Sequence, residues 1–293
     1  MVKIAVAGGS GGVGQEIIDV LLATKKHEIL LLSRKNAPAE GIQGVTWIKT
    51  DYLDIQQLKQ VLQGVHTVLS FVTEQDDPTS PKQKNLIDAA IQAGVKRFAP
   101  SEWASAGTVL EYSLFQPGFI INYLTRPYSS AKHLPLIDLP WDYQNRRAIV
   151  VDGGENVCLT LTTVEDLANV VARAIEFEGE WPVDGGISGN VITIGELIAL
   201  GEKVRGGTPF TIEKVQAQDF TSGEWKTSWM PIADHPSIPR ENLEVMSRVI
   251  LAGILLAVHA NELHVSDAWN RLLPDYKFMP IGSFLIEAWS GKP

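Results

Sequence analysis

The most constraining stretch of this chain is the glycine-rich run Ala7-Gly8-Gly9-Ser10-Gly11-Gly12-Val13-Gly14. Before it, Val2, Ile4, Ala5 and Val6 read as a short buried strand; after it, Val13, Ile17, Ile18, Leu21 and Leu22 share one face of a helix. A helix that opens directly from such a turn presents unpaired amides and the positive end of its dipole there, which suits a phosphate. Glycines allow the sharp turn, let the backbone approach a pyrophosphate and let helix and strand pack closely. The run fits Gly-x-Gly-x-x-Gly (Gly9, Gly11, Gly14) and also Gly-x-x-Gly-x-x-Gly (Gly8, Gly11, Gly14). At a first strand and before a helix, that spacing predicts a dinucleotide site built from Gly8, Gly9, Ser10, Gly11, Gly12, Val13 and Gly14.

The second strand is expected over Glu28 to Leu32 and ends in Ser33-Arg34-Lys35. In dinucleotide folds an acidic residue at this point takes the ribose 2′-hydroxyl, whereas an arginine accommodates a 2′-phosphate. Arg34 with Lys35 beside it, and no Asp or Glu, favours NADP (NADPH) over NAD as the cofactor. Val45 to Lys49 reads as the third strand, followed by Asp51, which faces the expected adenine or caps the next turn. Asp54 and Gln57 have capping-box spacing for the helix through Leu58, Val61 and Leu62. The fourth strand, His66 to Thr73, has an apolar centre in Val68, Leu69, Phe71 and Val72, as a sheet covered on both faces requires. Its carboxyl end places Ser70, Phe71 and Val72 where ligands bind in open α/β sheets. The acidic loop 74–78 follows, and a helix capped by Ser80, with Pro81 in its first turn, runs to a C-cap glycine, Gly94. Val95 to Pro100 supplies a fifth strand.

Strands beginning near residues 2, 28, 45, 66 and 95, with helices between them, define an α/β chain with a doubly wound parallel sheet of the Rossmann type. With 293 residues there is room for two joined parts: a dinucleotide domain over 1–118 and a smaller α/β substrate region over 119–293. The helix around 164–177 is expected to pack on the first of these. A net charge of −9 argues against nucleic acid as a direct partner. The single cysteine, Cys158, excludes an internal disulfide and fits a reducing, cytoplasmic compartment. The amino-terminal stretch reads as a strand rather than a signal peptide. The apolar run Val249 to Val258 is about half a membrane span, so it is read as a buried helix and no membrane partner is expected.

Several motifs resemble those of the NmrA-like, isoflavone-reductase-like family of atypical short-chain dehydrogenases. They are Ala7 to Gly14, Leu32-Ser33-Arg34, Asn85 to Gly94, Lys96-Arg97-Phe98-Ala99-Pro100-Ser101-Glu102-Trp103, Phe115-Gln116-Pro117-Gly118 and Thr163-Val164-Glu165-Asp166-Leu167-Ala168. The resemblance implies NADPH binding and, in the catalytic branch, hydride delivery to a small aromatic substrate of isoflavone or phenylpropanoid type. In other members it implies a non-catalytic redox sensor that regulates a partner protein such as a transcription factor, with a nuclear location open to it.

One interval departs from that pattern. Ser101 to Leu110 separates Pro100 from the next expected strand, Glu111 to Phe115, by ten residues, whereas parallel strands take a crossover of a dozen or more. Ten helical residues rise about 15 Å, the length of one strand, with nothing left for loops. The family resemblance places a lysine assigned to catalysis in this interval, and here it holds neither Lys nor Tyr. Elsewhere, Tyr128 and Lys132 have the Tyr-x-x-x-Lys spacing that short-chain dehydrogenases use on a helix, where lysine lowers the tyrosine pKa and tyrosine acts as general acid. That chemistry needs an i, i+4 helical pair, and Pro135 and Pro140 follow closely, so a surface loop is the alternative.

Asn122 to Tyr143 is rich in proline and aromatics, which suits a substrate-cleft wall or simple packing. Asp152-Gly153-Gly154 marks a turn between the strands 147–151 and 157–161. Thr163 to Asp166 opens a helix with Leu167, Val170, Val171, Ala174 and Ile175 on its core face, and Thr193-Ile194-Gly195-Glu196 is a second capping box. Trp225, Trp229 and Trp269 are expected in a C-terminal core. No histidine or cysteine spacing supports a metal site.

Overall fold

The computed structural model describes residues 1–72, 80–101, 110–222 and 225–293. The acidic loop 74–78 and most of the shortened interval, 102–109, lie outside the described residues. In chain order the first elements are β1 (Lys3–Ala7), α1 (Gly12–Thr24), β2 (Glu28–Ser33), β3 (Val45–Lys49), α2 (Ile55–Val61), β4 (Thr67–Ser70), α3 (Pro81–Ala93), β5 (Arg97–Ala99), β6 (Glu111–Tyr112) and β7 (Leu114–Gln116). They are followed by β8 (Phe119–Ile120), β9 (Trp141–Asp142), β10 (Arg147–Val151), β11 (Cys158–Thr162), α4 (Val164–Glu176), β12 (Asp184–Gly186) and β13 (Asn190–Thr193). The last are α5 (Ile194–Val204), β14 (Thr211–Val215), α6 (Ala217–Ser222), α7 (Leu243–His259), α8 (Ala268–Leu272) and α9 (Ile281–Trp289).

One compact unit comprises Met1–Gln116, Leu167–Gly186 and Arg271–Leu273. Its six-stranded sheet has the order β3-β2-β1-β4-β5-β6, and every pairing in it is parallel. Strand order reverses between β1 and β4, so the crevice beyond their carboxyl ends is the topological switch point where ligands bind. Burial explains the composition of the central strands: Ala5, Ala7, Leu30, Leu32 and Val68 are fully or nearly fully buried against Leu58, Leu62, Leu86 and Ala90 of the α2 and α3 layer. From the helix, Asp54 Oδ1 accepts the Gln57 amide at 2.9 Å, as its spacing predicted. Ser80 does stand at the start of α3, but at φ 47° its side chain makes no capping bond, and Pro81 alone sets that first turn. Gly94, at φ 75°, closes α3 in the left-handed conformation.

The expected strand 111–115 is two strands. Glu111 and Tyr112 pair in parallel with Arg97 and Phe98 despite the short connection, whereas Leu114–Gln116 pairs with Asp184–Gly186 in a separate two-stranded sheet. The break falls at buried Ser113, and the Leu114 amide turns to the Val183 carbonyl at 3.0 Å.

The other unit comprises Pro117–Asp166, Ile187–Asn270 and Pro274–Pro293. It contains two three-stranded sheets, β14-β10-β9 and β13-β11-β8, so the turn at 152–154 joins strands of different sheets. Thr193 and Glu196 form the reciprocal capping box at the start of α5. The apolar helix α7 corrects an expectation. It buries only the stripe Ser247, Leu251, Leu255 and Val258, while Val245 and Val249 are 65% and 59% exposed. Leu251 and Leu255 pack with Ile149, Val151 and Trp225, and Val258 joins the neighbouring core of Trp141 and Ile194, so the helix buries one stripe and leaves its other side exposed. By length and composition the span Arg240–His259 could cross a membrane.

Candidate functional site

The glycine turn connects β1 to α1, and its geometry explains which glycines are needed. Gly8 has φ +70°, and a Cβ there would stand 2.8 Å from the carbonyl carbon and oxygen of Phe71. A Cβ on Gly14 would meet Gly9 Cα at 2.8 Å. By contrast, the nearest atom to a Cβ on Gly11 is Gly8 O at 3.6 Å, an ordinary van der Waals contact, so a side-chain carbon fits there without displacing the backbone. Gly11 is the N-cap of α1, with no side-chain cap and no acid in the first turn. The first-turn amides therefore have no side-chain acceptor from the cap, and a helix start leaves such amides unpaired within the helix. Small residues, a close backbone approach and free amides fit a pyrophosphate.

The end of β2 borders this turn. Ser10 Oγ lies 3.4 Å from Ser33 Oγ, which also accepts the Lys35 amide at 3.2 Å. Trp47 Nε1 donates to the Lys35 carbonyl at 3.1 Å, holding the chain where it leaves the strand. Arg34 and Lys35 are exposed, and neither side chain has an ion-pair partner among the described residues. Their charges are thus available to an anion beside the turn. Asp51 is used locally: its Oδ1 accepts the amides of Leu53 at 2.8 Å and Asp54 at 3.4 Å.

At the end of β4, the Phe71 amide donates to Ala7 O at 2.8 Å, and its carbonyl abuts Gly8. Ser70 is buried and its hydroxyl donates to Gln83 Oε1 of α3 at 2.7 Å. The Val72 amide follows, 3.4 Å from Ser70 Oγ. Backbone rather than the Ser70 hydroxyl therefore forms this wall.

Tyr52 is a residue of this site that the sequence reading missed. It is 2% exposed, and its hydroxyl lies between Leu32 O, to which it donates at 2.7 Å, and the Gly8 amide, which donates to it at 2.9 Å. Burial pushes its pKa up to about 12, against smaller opposing effects of the Gly8 amide and the Arg34 charge. The available signal was a hydroxylated aromatic immediately after Asp51 at a strand end.

In the other unit, residues 128–132 are not helical. Tyr128 packs edge-on against Trp289, with ring centroids 5.5 Å apart, and Lys132 is exposed. The i, i+4 helical pair that a Tyr-x-x-x-Lys mechanism needs is absent, because residues 128–132 run as bends and irregular backbone. The aromatic-rich segment instead encloses a cleft of about 150 Å3 lined by Tyr123, Arg126, Leu139, Trp141, Tyr143 and Gln144, among others. Trp141 Nε1 and Gln144 Oε1 are buried there without a hydrogen-bond partner among the described residues. Asn122 Oδ1 accepts the Val164 amide at 2.8 Å and anchors the start of α4. Asp166 accepts Tyr276 Oη at 2.7 Å and the Met279 amide at 3.1 Å, which makes it a structural tie as well as a helix-start charge. A wider cleft of about 770 Å3 lies at the amino-terminal ends of the parallel strands, lined by His27, His66 and Lys96 among others, away from the glycine turn. No group of three or more His, Cys, Asp or Glu residues suited to a metal occurs among the described residues.

A glycine turn at the switch point of a parallel sheet ordered 3-2-1-4-5-6 defines a doubly wound α/β protein of the Rossmann class. Residues 2–117 match the model of the NmrA-like family. The oxidoreductase BOA1 of Botryotinia fuckeliana is 30% identical over 233 residues, covering 70% of this chain and 77% of that protein. The chain belongs to the NmrA-like family. Among solved structures, the NADPH complex of the Escherichia coli NADPH-dependent quinone oxidoreductase QOR2 superposes with a TM-score of 0.69 at 20% identity, covering 98% of this chain and all of that one. AtPrR2 with NADP+ and (+)pinoresinol gives a TM-score of 0.66 at 19% identity, covering 98% of each chain.

Proposed function

We propose that this protein is an NADPH-dependent oxidoreductase that reduces a small aromatic substrate. The observation that carries the reading is the glycine turn packed against Phe71 with the exposed cation Arg34 at the neighbouring strand end. In the bound state the nicotinamide supplies a hydride. The chain's own part is to bind and orient: amides at the start of α1 receive the pyrophosphate, and Gly8 and Gly14 keep the backbone close enough to do so. Arg34, with Lys35 beside it, pairs with the ribose 2′-phosphate, a contact that an acidic residue would repel. The Phe71–Val72 backbone closes the crevice at the end of β4.

Aromatic substrates are supported by the cleft lined by Tyr123, Trp141 and Tyr143. They are supported also by relatives whose names record a quinone reductase and a pinoresinol complex. The test is a titration with NADPH and NADH, followed by nucleotide-consumption assays against quinones, aromatic ketones and aryl ethers. NADPH binding with turnover on one of these is expected. Tight NADPH binding with no turnover on any of them would overturn the reductase and leave a nucleotide-sensing regulator.

A further inference from the structure

We propose that Tyr52 is a positioning residue for the cofactor: its hydroxyl holds the Gly8 peptide and thereby sets the glycine turn in the shape that receives a dinucleotide. This rests on the reading of the turn as an NADP site.

Three polar groups close a triangle. The Gly8 amide lies 2.9 Å from Leu32 O and 2.9 Å from Tyr52 Oη, and Tyr52 Oη donates to Leu32 O at 2.7 Å. A carbonyl oxygen accepts two bonds, and a phenol gives one and accepts through its lone pairs, so every group in the triangle is satisfied. The phenolic proton goes to Leu32 O, which turns a lone pair toward Gly8. The Gly8 amide is thereby held inward at the sheet end, and the amides left facing the crevice are those at the start of α1.

The backbone of Tyr52 carries an independent sign of constraint. Its φ is 66°, a region that bulky side chains rarely occupy and that persists only when surrounding contacts over-determine it. Two contacts do so: the Tyr52 amide donates to Thr50 Oγ1 at 3.2 Å, and Asn85 Nδ2 of α3 donates to the Tyr52 carbonyl at 3.1 Å. The ring itself is packed in the apolar layer with Leu32, Leu58 and Leu62. Phenylalanine would fill that layer equally well, so the hydroxyl is present for its hydrogen bonds. Residues from β2, the β3–α2 connection and α3 are thus joined to one peptide of the turn.

The experiment compares wild type, Tyr52→Phe and Arg34→Ala as full chains, by NADPH and NADH fluorescence titration and by amide hydrogen exchange of the nucleotide-free proteins. Tyr52→Phe is expected to weaken both nucleotides by one shared factor, about five- to tenfold, the worth of one lost hydrogen bond. It is expected to speed exchange over residues 7–14 while leaving α7 unchanged. Arg34→Ala, in contrast, changes the ratio of the two affinities. Unaltered binding by Tyr52→Phe, a loss confined to one nucleotide, or faster exchange throughout the molecule would each overturn the positioning role. Should Tyr52→Phe not fold, Asn85→Ala is expected to give the same shared loss, smaller in size, and unchanged binding there overturns the proposal. Wild-type protein that binds neither nucleotide overturns the dinucleotide reading itself and this role with it.

Discussion

Arg97 grips Glu111 with two prongs, Nε to Oε2 at 2.9 Å and Nη2 to Oε1 at 3.3 Å, and so ties the first residue of β5 to the first residue of β6. The same guanidinium donates to the carbonyls of Phe177 at 2.7 Å and Gly179 at 2.8 Å and lies over the Trp181 ring. Glu111 in turn accepts the Trp181 amide at 2.7 Å. A two-residue strand has little backbone pairing of its own, and this cluster supplies what the short connection before β6 does not. Arg97→Met is therefore expected to destabilise the fold by about 3 kcal/mol, because Glu111 and the carbonyls lose a buried cationic partner. Thermal unfolding measures it as a fall of about 5–10 °C. Arg97→Lys should recover only part, since an ammonium cannot reproduce the planar fork.

Arg34→Ala should weaken NADPH by about 10- to 100-fold, the range for losing a charge-assisted hydrogen bond. NADH, which lacks the 2′-phosphate, should lose little. Equal losses for both nucleotides would remove the cofactor assignment.

The middle and last glycines of the motif predict opposite behaviour. Gly14→Ala forces a Cβ onto Gly9 Cα, so a loss of about 1–3 kcal/mol in stability is expected. Gly11→Ala places its Cβ at ordinary contact distance, 3.6 Å from Gly8 O, so stability should hold to within about 0.5 kcal/mol. If the turn receives the pyrophosphate as proposed, the added methyl group crowds it, so nucleotide affinity should fall instead. Calorimetry and titration on both variants separate the two effects.

Tyr128→Phe should leave NADPH affinity and any turnover unchanged, because Tyr128 belongs to a packing contact with Trp289 rather than to a helical acid–base pair. A large drop in kcat with intact binding would return Tyr128 to the chemistry.

Burial, and then the nearby Arg97 guanidinium, hold the His66 pKa below its ordinary 6.5. The folded chain therefore binds fewer protons than the unfolded chain in the window just below 6.5. Stability is complete above that value and is lost as pH falls through it toward the folded pKa. His66→Gln should flatten the fall in melting temperature between about pH 7 and about pH 5. An unchanged slope would show that other groups set it.

Local signals carried most of the first unit. The apolar periods placed β1 to β5, Asp54 announced the start of α2, and the glycine spacing with Arg34 identified the candidate site. Each of these depends on residues within a few positions of one another. Readings that depended on distant partners went astray. Ser80 stands at the right position but leaves the capping geometry, α7 has an apolar sequence yet buries only one stripe, and 111–115 divides between two sheets. Tyr52 escaped notice for the same reason, since its partners Gly8, Leu32 and Asn85 lie 44, 20 and 33 residues away.

What the sequence by itself determined is the alternation of strand and helix and the glycine turn between the first pair, because period, capping and turn chemistry are written in consecutive residues. Tertiary structure alone decided where strand 111–115 would break, which amide of the turn a phenol would hold, and that Tyr128 and Lys132 would not share a helix. Those outcomes follow from competition among distant groups for the same buried hydrogen bonds and the same core faces, and that competition is settled only when the chain has closed on itself.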